Sequence, residues 1–141
     1  MSKKRFRNGG FTLIELLIVM VILGLLASLV APRLVGKVGK SKTRAAQAQV
    51  ELLSTALESY RLDVGRYPAT KEGLSALVKA PEDVKGWDGP YLRKETIPND
   101  PWNRPYRYRC PGEHMDYDIF SYGADDKQGG EGEDSDIVSW K

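Results

Sequence analysis

Between Phe11 and Pro32 the chain reads FTLIELLIVMVILGLLASLVAP, and after Glu15 no charge appears for 17 residues, from Leu16 to Pro32. At 1.5 Å per residue, the stretch from Phe11 to Ala31 spans roughly 30 Å as a helix, the thickness of a bilayer's hydrocarbon core. A soluble domain in a chain of 141 residues would rarely bury so long an apolar run. The segment is therefore either a retained membrane helix or the apolar part of a cleaved secretory signal, with Lys3, Lys4, Arg5 and Arg7 as its basic flank. Cleavage near Ala27 or Ala31 is poorly supported, because Leu25 and Leu29 stand where a small residue is needed. Glu15 also puts a carboxylate inside the apolar segment, where an acid is costly and usually has a use.

Charge divides the chain as sharply as hydropathy does. Residues 1–44 carry nine Lys or Arg against one acid, while residues 45–141 carry 12 against 18, so the overall net of +2 describes neither part. Basic residues flank the apolar run on both sides, which leaves its orientation undecided by charge alone. The basic stretch from Arg33 to Arg44 has no aromatic residues, which argues against nucleic acid as its partner. A single cysteine, Cys110, forbids an internal disulfide, and a single histidine, His114, excludes a His-rich metal site. Neither a G-x-S-x-G elbow nor a phosphate-binding G-x-x-x-x-G-K-[ST] loop is present, so the sequence offers no recognisable enzyme centre.

Beyond the run, Pro32, Gly36 and Gly39 predict a kink or a locally melted stretch between Pro32 and Gly39. Helical periodicity then returns. Ala46, Val50, Leu53, Leu57, Tyr60 and Val64 form one apolar stripe that needs a sheet or second helix to cover it, and Gly65 with Pro68 ends it. If continuous, the helix from Phe11 to Val64 would be roughly 80 Å long. Thr70 is placed to cap a short helix over Lys71 to Lys79, with Leu74, Leu77 and Val78 inward. The proline-rich stretch from Pro81 to Pro105 reads as ordered loop anchored by tryptophans. Tyr106 to Cys110 and Tyr117 to Tyr122 read as an antiparallel strand pair, with Cys110 as a small side chain on that sheet.

The segment from Asp125 to Asp136, DDKQGGEGEDSD, concentrates six acids and three glycines around Lys127. So many carboxylates repel unless the loop stays solvated or a cation neutralises them. Glycines let carbonyls turn inward, and hard oxygen ligands suit Ca2+, although the spacing is not that of an EF-hand. On residues alone, a solvated acidic loop and a calcium site both remain open.

Several of these stretches resemble one family. Gly10-Phe11-Thr12-Leu13-Ile14-Glu15 resembles the leader and cleavage site of type IV pilins and type II secretion pseudopilins. Gly65-Arg66-Tyr67-Pro68, Glu72-Gly73-Leu74 and Asp100-Pro101-Trp102 are similar to the major pseudopilins of type II secretion. So is the run from Phe120 to Asp125 with Asp134-Ser135-Asp136-Ile137 and Trp140. The resemblance implies an α+β, type IV pilin-like fold, in which a long N-terminal helix packs on a small antiparallel sheet. Residues 1–10 would be a leader removed by a prepilin peptidase between Gly10 and Phe11, with Phe11 then N-methylated. Residues 11–32 would be the transmembrane and assembly helix, 33–65 its amphipathic continuation, and 66–141 a periplasmic head.

It also implies that Glu15 sets register by meeting the amino terminus of a neighbouring subunit. The reading from residues alone leaves this acid protonated or snorkelling as the alternative. For calcium, the resemblance implies Asp125, Asp134 and Asp136 as carboxylate ligands, with the backbone carbonyls of Tyr122 and Lys127 as further candidates and Asp126, Glu131 and Glu133 as bystanders. The implied function is the structural subunit of an inner-membrane-stored pseudopilus, N-terminus cytoplasmic. It would be a homopolymer working with minor pseudopilins and an inner-membrane assembly platform to drive export across the outer membrane. Two alternatives stand beside it: a type IV pilin, though those usually carry a C-terminal cysteine pair that this chain lacks, and a secreted or anchored calcium-binding module.

Overall fold

The structure, a computed structural model, describes residues 9–141, and inside the long helix nothing is said of the side chains of residues 31–36. The leader residues Lys3, Lys4, Arg5 and Arg7 therefore lie outside the described residues, as do the side chains of Pro32 and Arg33. The chain divides into two units, Met1–Lys37 and Val38–Lys141.

One helix, α1 (Leu13–Val64), runs through both. The backbone from Pro32 to Gly39, where a kink or melting is expected, is assigned helical throughout. In the first unit Leu13–Val30 is long and apolar enough to cross a membrane, and none of it is buried. That exposure is the reverse of what water allows so apolar a helix and the pattern expected of a lipid-facing one.

In the second unit α1 buries the predicted stripe. Ala46, Val50, Leu53, Leu57 and Tyr60 are all within the core, and Val64 packs at its edge. Gly65, at φ +84°, ends the helix by donating its N–H to the Arg61 carbonyl at 2.8 Å, the left-handed stop that favours glycine. Leu74 and Leu77 cover the stripe from a 3-10 turn, Leu74–Leu77, which is shorter than the helix expected from Lys71 to Lys79. Thr70 does not cap it. Its hydroxyl accepts from the Cys110 N–H and donates to the Cys110 carbonyl, both at 2.9 Å, while Gly73 at φ +62° sets the turn.

The sheet has three antiparallel strands in the order β1 (Arg107–Arg109), β2 (Asp118–Ser121), β3 (Ile137–Val138). The pair predicted from sequence is present, with Tyr108 opposite Ile119. Strand β3, unforeseen, pairs Ile137 with Ser121 and Val138 with Phe120. Ile119 and Ile137 complete the core against α1, and Tyr106 ties the start of β1 to the helix through a 2.6 Å hydrogen bond to Gln49 Oε1.

Candidate functional site

Two places carry the residues singled out from sequence. The first is the start of α1. Thr12 stands just before the helix, and its backbone N–H and hydroxyl both donate to Glu15 Oε2, at 2.9 and 3.0 Å. The Glu15 N–H in turn donates to Thr12 Oγ1 at 3.2 Å. This reciprocal arrangement is a capping box, which satisfies helix-end donors that would otherwise be orphaned in lipid. Phe11 and Glu15 line one shallow hollow together with Leu16, Ile18 and Val19, as their spacing of four predicts. Gly10 is exposed, outside the helix, and open on the side where a Cβ would stand.

The second place is the acidic loop between β2 and β3. Its two arms are held by backbone: the Ala124 N–H donates to the Glu133 carbonyl at 2.9 Å, beside the short 3-10 turn Gly132–Asp134. Gly123, at φ +66°, sits so close to the return arm that a Cβ would lie 2.6 Å from the Glu133 carbonyl oxygen. Gly130, at φ +91°, presses on Asp134 in the same way. The arms are thus locked by glycine geometry.

The carboxylates of this loop differ in their partners. Asp126 is paired with Arg107 at 3.2 Å, and the Glu133 side chain lies against Gly39 of α1. Asp125 Oδ1 accepts the Lys127 N–H, at 3.1 Å, and both Asp136 oxygens accept the Gly129 N–H, at 3.0 and 3.1 Å. Among the described residues Asp125, Asp134 and Asp136 make no ion pair, and no three His, Cys, Asp or Glu side chains gather into one metal-holding group. Arg104 donates to the carbonyls of Gly123 and Ala124, which follow Tyr122, and so pins the outgoing arm.

Two buried acids escaped the sequence reading. Asp100 is the anchor of the Asp-Pro-Trp turn: Oδ1 accepts the Trp102 and Arg104 N–H groups at 3.0 and 2.8 Å, and Oδ2 accepts the Ser121 hydroxyl at 2.6 Å. Asp118, fully buried on β2, meets Arg109 at 3.2 Å, the Glu113 N–H at 2.8 Å and the His114 ring, which stacks on Trp140. Burial alone would push the Asp118 carboxyl up, but the bonds from Glu113 and His114 outweigh it and hold it below the usual range. The Asp-Pro-Trp signal pointed to Asp100's turn. For Asp118 no local signal in the sequence pointed to burial.

A capped apolar helix, followed by an amphipathic continuation that packs on a small antiparallel sheet, defines a pilin-like subunit. Residues 5–31 match the prokaryotic N-terminal methylation motif, and residues 33–140 match type II secretion system protein G. Type II secretion system core protein G of Pseudomonas aeruginosa is 44% identical, covering 97% of this chain and 98% of that protein. The protein of the same description from Vibrio cholerae is 42% identical, with 98% and 95% covered. The crystal structure of the major pseudopilin from the type 2 secretion system of enterohaemorrhagic Escherichia coli superposes with a TM-score of 0.62 at 34% identity, over 74% of this chain and 87% of that one. The chain belongs to the type II secretion system protein G family, the major pseudopilins, which are structural subunits and not enzymes.

Proposed function

We propose that this subunit is stored in the inner membrane through Leu13–Val30, N-terminus in the cytoplasm, and assembles from there into a periplasmic homopolymer that drives folded proteins across the outer membrane. A prepilin peptidase cuts between Gly10 and Phe11, and the new amino terminus of Phe11 is methylated. Minor pseudopilins and an inner-membrane platform take part in assembly. The observation that carries this reading is the fully exposed apolar helix headed by the Thr12–Glu15 capping box. Cleavage before Phe11 creates a positive amine four residues from Glu15, and a neighbour's amine competing for that carboxylate would fix the register between subunits. Mass spectrometry of the mature protein tests it: a chain beginning at methylated Phe11 is expected, and a chain beginning near Pro32 overturns it.

The head binds Ca2+ as a structural ion. The donor chemistry fits: Asp125, Asp134 and Asp136 are hard oxygen donors on arms already joined by backbone, and none is occupied by a basic side chain among the described residues. The Tyr122 and Lys127 carbonyls are the further candidates. Bound Ca2+ supplies positive charge to a loop whose carboxylates otherwise repel. Thermal unfolding of the full chain is expected to fall to lower temperature in EDTA and recover with added Ca2+; an unchanged transition overturns this part.

A further inference from the structure

Within the second unit, α1 leaves an apolar groove of about 510 Å³ beside the loop that follows Pro90. Leu52 and Ala56 form one wall and Leu92 and Pro98 the other, while Arg93 and Lys94 stand on its rim. Leu52 is 57% exposed, which water penalises in a residue of that size. Arg93 and Lys94 are exposed and make no ion pair among the described residues. Glu95, also exposed, is not part of the lining. The groove thus asks for an apolar knob flanked by acids.

The same chain presents such a knob. At the turn between β1 and β2, Met115 is 58% exposed; it is followed by exposed Asp116 and preceded by His114, which stacks on Trp140, with exposed Glu113 one position further back. Glu113 pairs with Arg109 in its own chain, so Asp116, in no ion pair among the described residues, is the acid more available to a partner. Methionine suits the role, being flexible enough to fill an irregular hollow.

Knob and groove lie on opposite edges of the buried stripe. The groove uses Leu52 and Ala56, whereas the turn joins α1 on the other edge, where Tyr117 packs against Tyr67 and Tyr67 bonds to Glu58. Two complementary patches on opposite edges cannot close a twofold dimer by meeting each other. They pair head to tail and propagate.

We propose that Met115 of one subunit inserts into the groove between Leu52 and Leu92 of the next, with its Asp116 against Lys94 and Arg93. This names the contact between successive globular heads of the homopolymer and rests on that reading. It adds a lateral lock between heads to the association of the apolar helices, and its charged part weakens with salt.

The test uses the full chain produced in cells carrying the assembly machinery, with Cys110→Ser to remove the native thiol. Leu52→Cys and Met115→Cys in one chain should give, on mild oxidation, a ladder of crosslinked multimers. Either cysteine alone should give none, and the two on separate co-produced chains should stop at dimers. Lys94→Glu should abolish the ladder and Asp116→Lys should restore it. Filaments visible by electron microscopy without any ladder would overturn this interface and leave the homopolymer intact. Absence of filaments from the unaltered chain would overturn the homopolymer and the interface with it. A free small molecule copurifying in the groove and blocking the crosslink would also overturn the proposal.

Discussion

Replacing Glu72 by Gln isolates one interaction of the stretch that follows α1. Arg66 grips the Glu72 carboxylate with two nitrogens, each at 2.7 Å, while the Ala69 N–H donates to the same carboxylate at 2.6 Å. These contacts, Arg66 first and then Ala69, override burial and bring the Glu72 carboxyl from 4.5 down to about 2. A depression of that size corresponds to about 3 kcal/mol at neutral pH. Arg66 is 46% exposed, however, against 12% for Glu72, and solvent screening reduces the figure to about 1–2 kcal/mol. Because the folded-state value lies below the unfolded one, the contribution is complete above about pH 4.5 and drains away as pH falls toward about 2. Urea unfolding of the full chain in detergent micelles, followed by tryptophan fluorescence at fixed Ca2+, reads this directly. Glu72→Gln should be less stable by about 1–2 kcal/mol at neutral pH, with the gap closing steadily below about pH 4. A gap that stays constant between neutral pH and about pH 3 would refute the argument, since it would place the loss in shape or solvation and not in the ionised carboxylate.

Asp118→Ala removes a fully buried acid and strands Arg109 and the Glu113 N–H, so it should cost about 2–4 kcal/mol in the same unfolding assay. Thr12→Val deletes both hydroxyl bonds of the capping box and should weaken the helix start by about 1 kcal/mol, read as faster amide exchange near Leu13–Leu17 in micelles. Gly123→Ala forces a Cβ against the return arm at a positive φ and should both destabilise the head by about 1–3 kcal/mol and flatten its response to EDTA. A variant with unchanged EDTA sensitivity would separate arm closure from metal binding.

What sequence could show of this fold follows from how local each signal is. The stripe from Ala46 to Tyr60 was legible because helical period is a property of neighbours within two turns, and its burial follows from that period. The 3-10 turn after Gly73 departs from the longer helix expected there because Thr70, a plausible cap in isolation, spends its hydroxyl on Cys110, 40 residues away. Strand β3 was missed for a related reason: two residues have no period, and Ile137 and Val138 become a strand only by pairing with β2. Nothing local in the sequence marks Asp118 within its strand, and only the turn folding back with Glu113 and His114 makes it an interior anchor.

The acidic loop shows the same division within one segment. Composition identified it, but composition treats its six acids alike, whereas the fold assigns them different work. Asp126 is spent on Arg107 and Glu133 is laid over Gly39, while Asp125, Glu131, Asp134 and Asp136 are, like Glu133, without a basic partner among the described residues. The arms are joined by Ala124 and by glycines at positive φ, none of which needs charge. Shape and charge are therefore separable here: backbone geometry brings the arms together, and the unneutralised carboxylates decide what the closed loop can hold. That separation is why the net charge of the segment alone leaves a solvated loop and a cation-binding one both open.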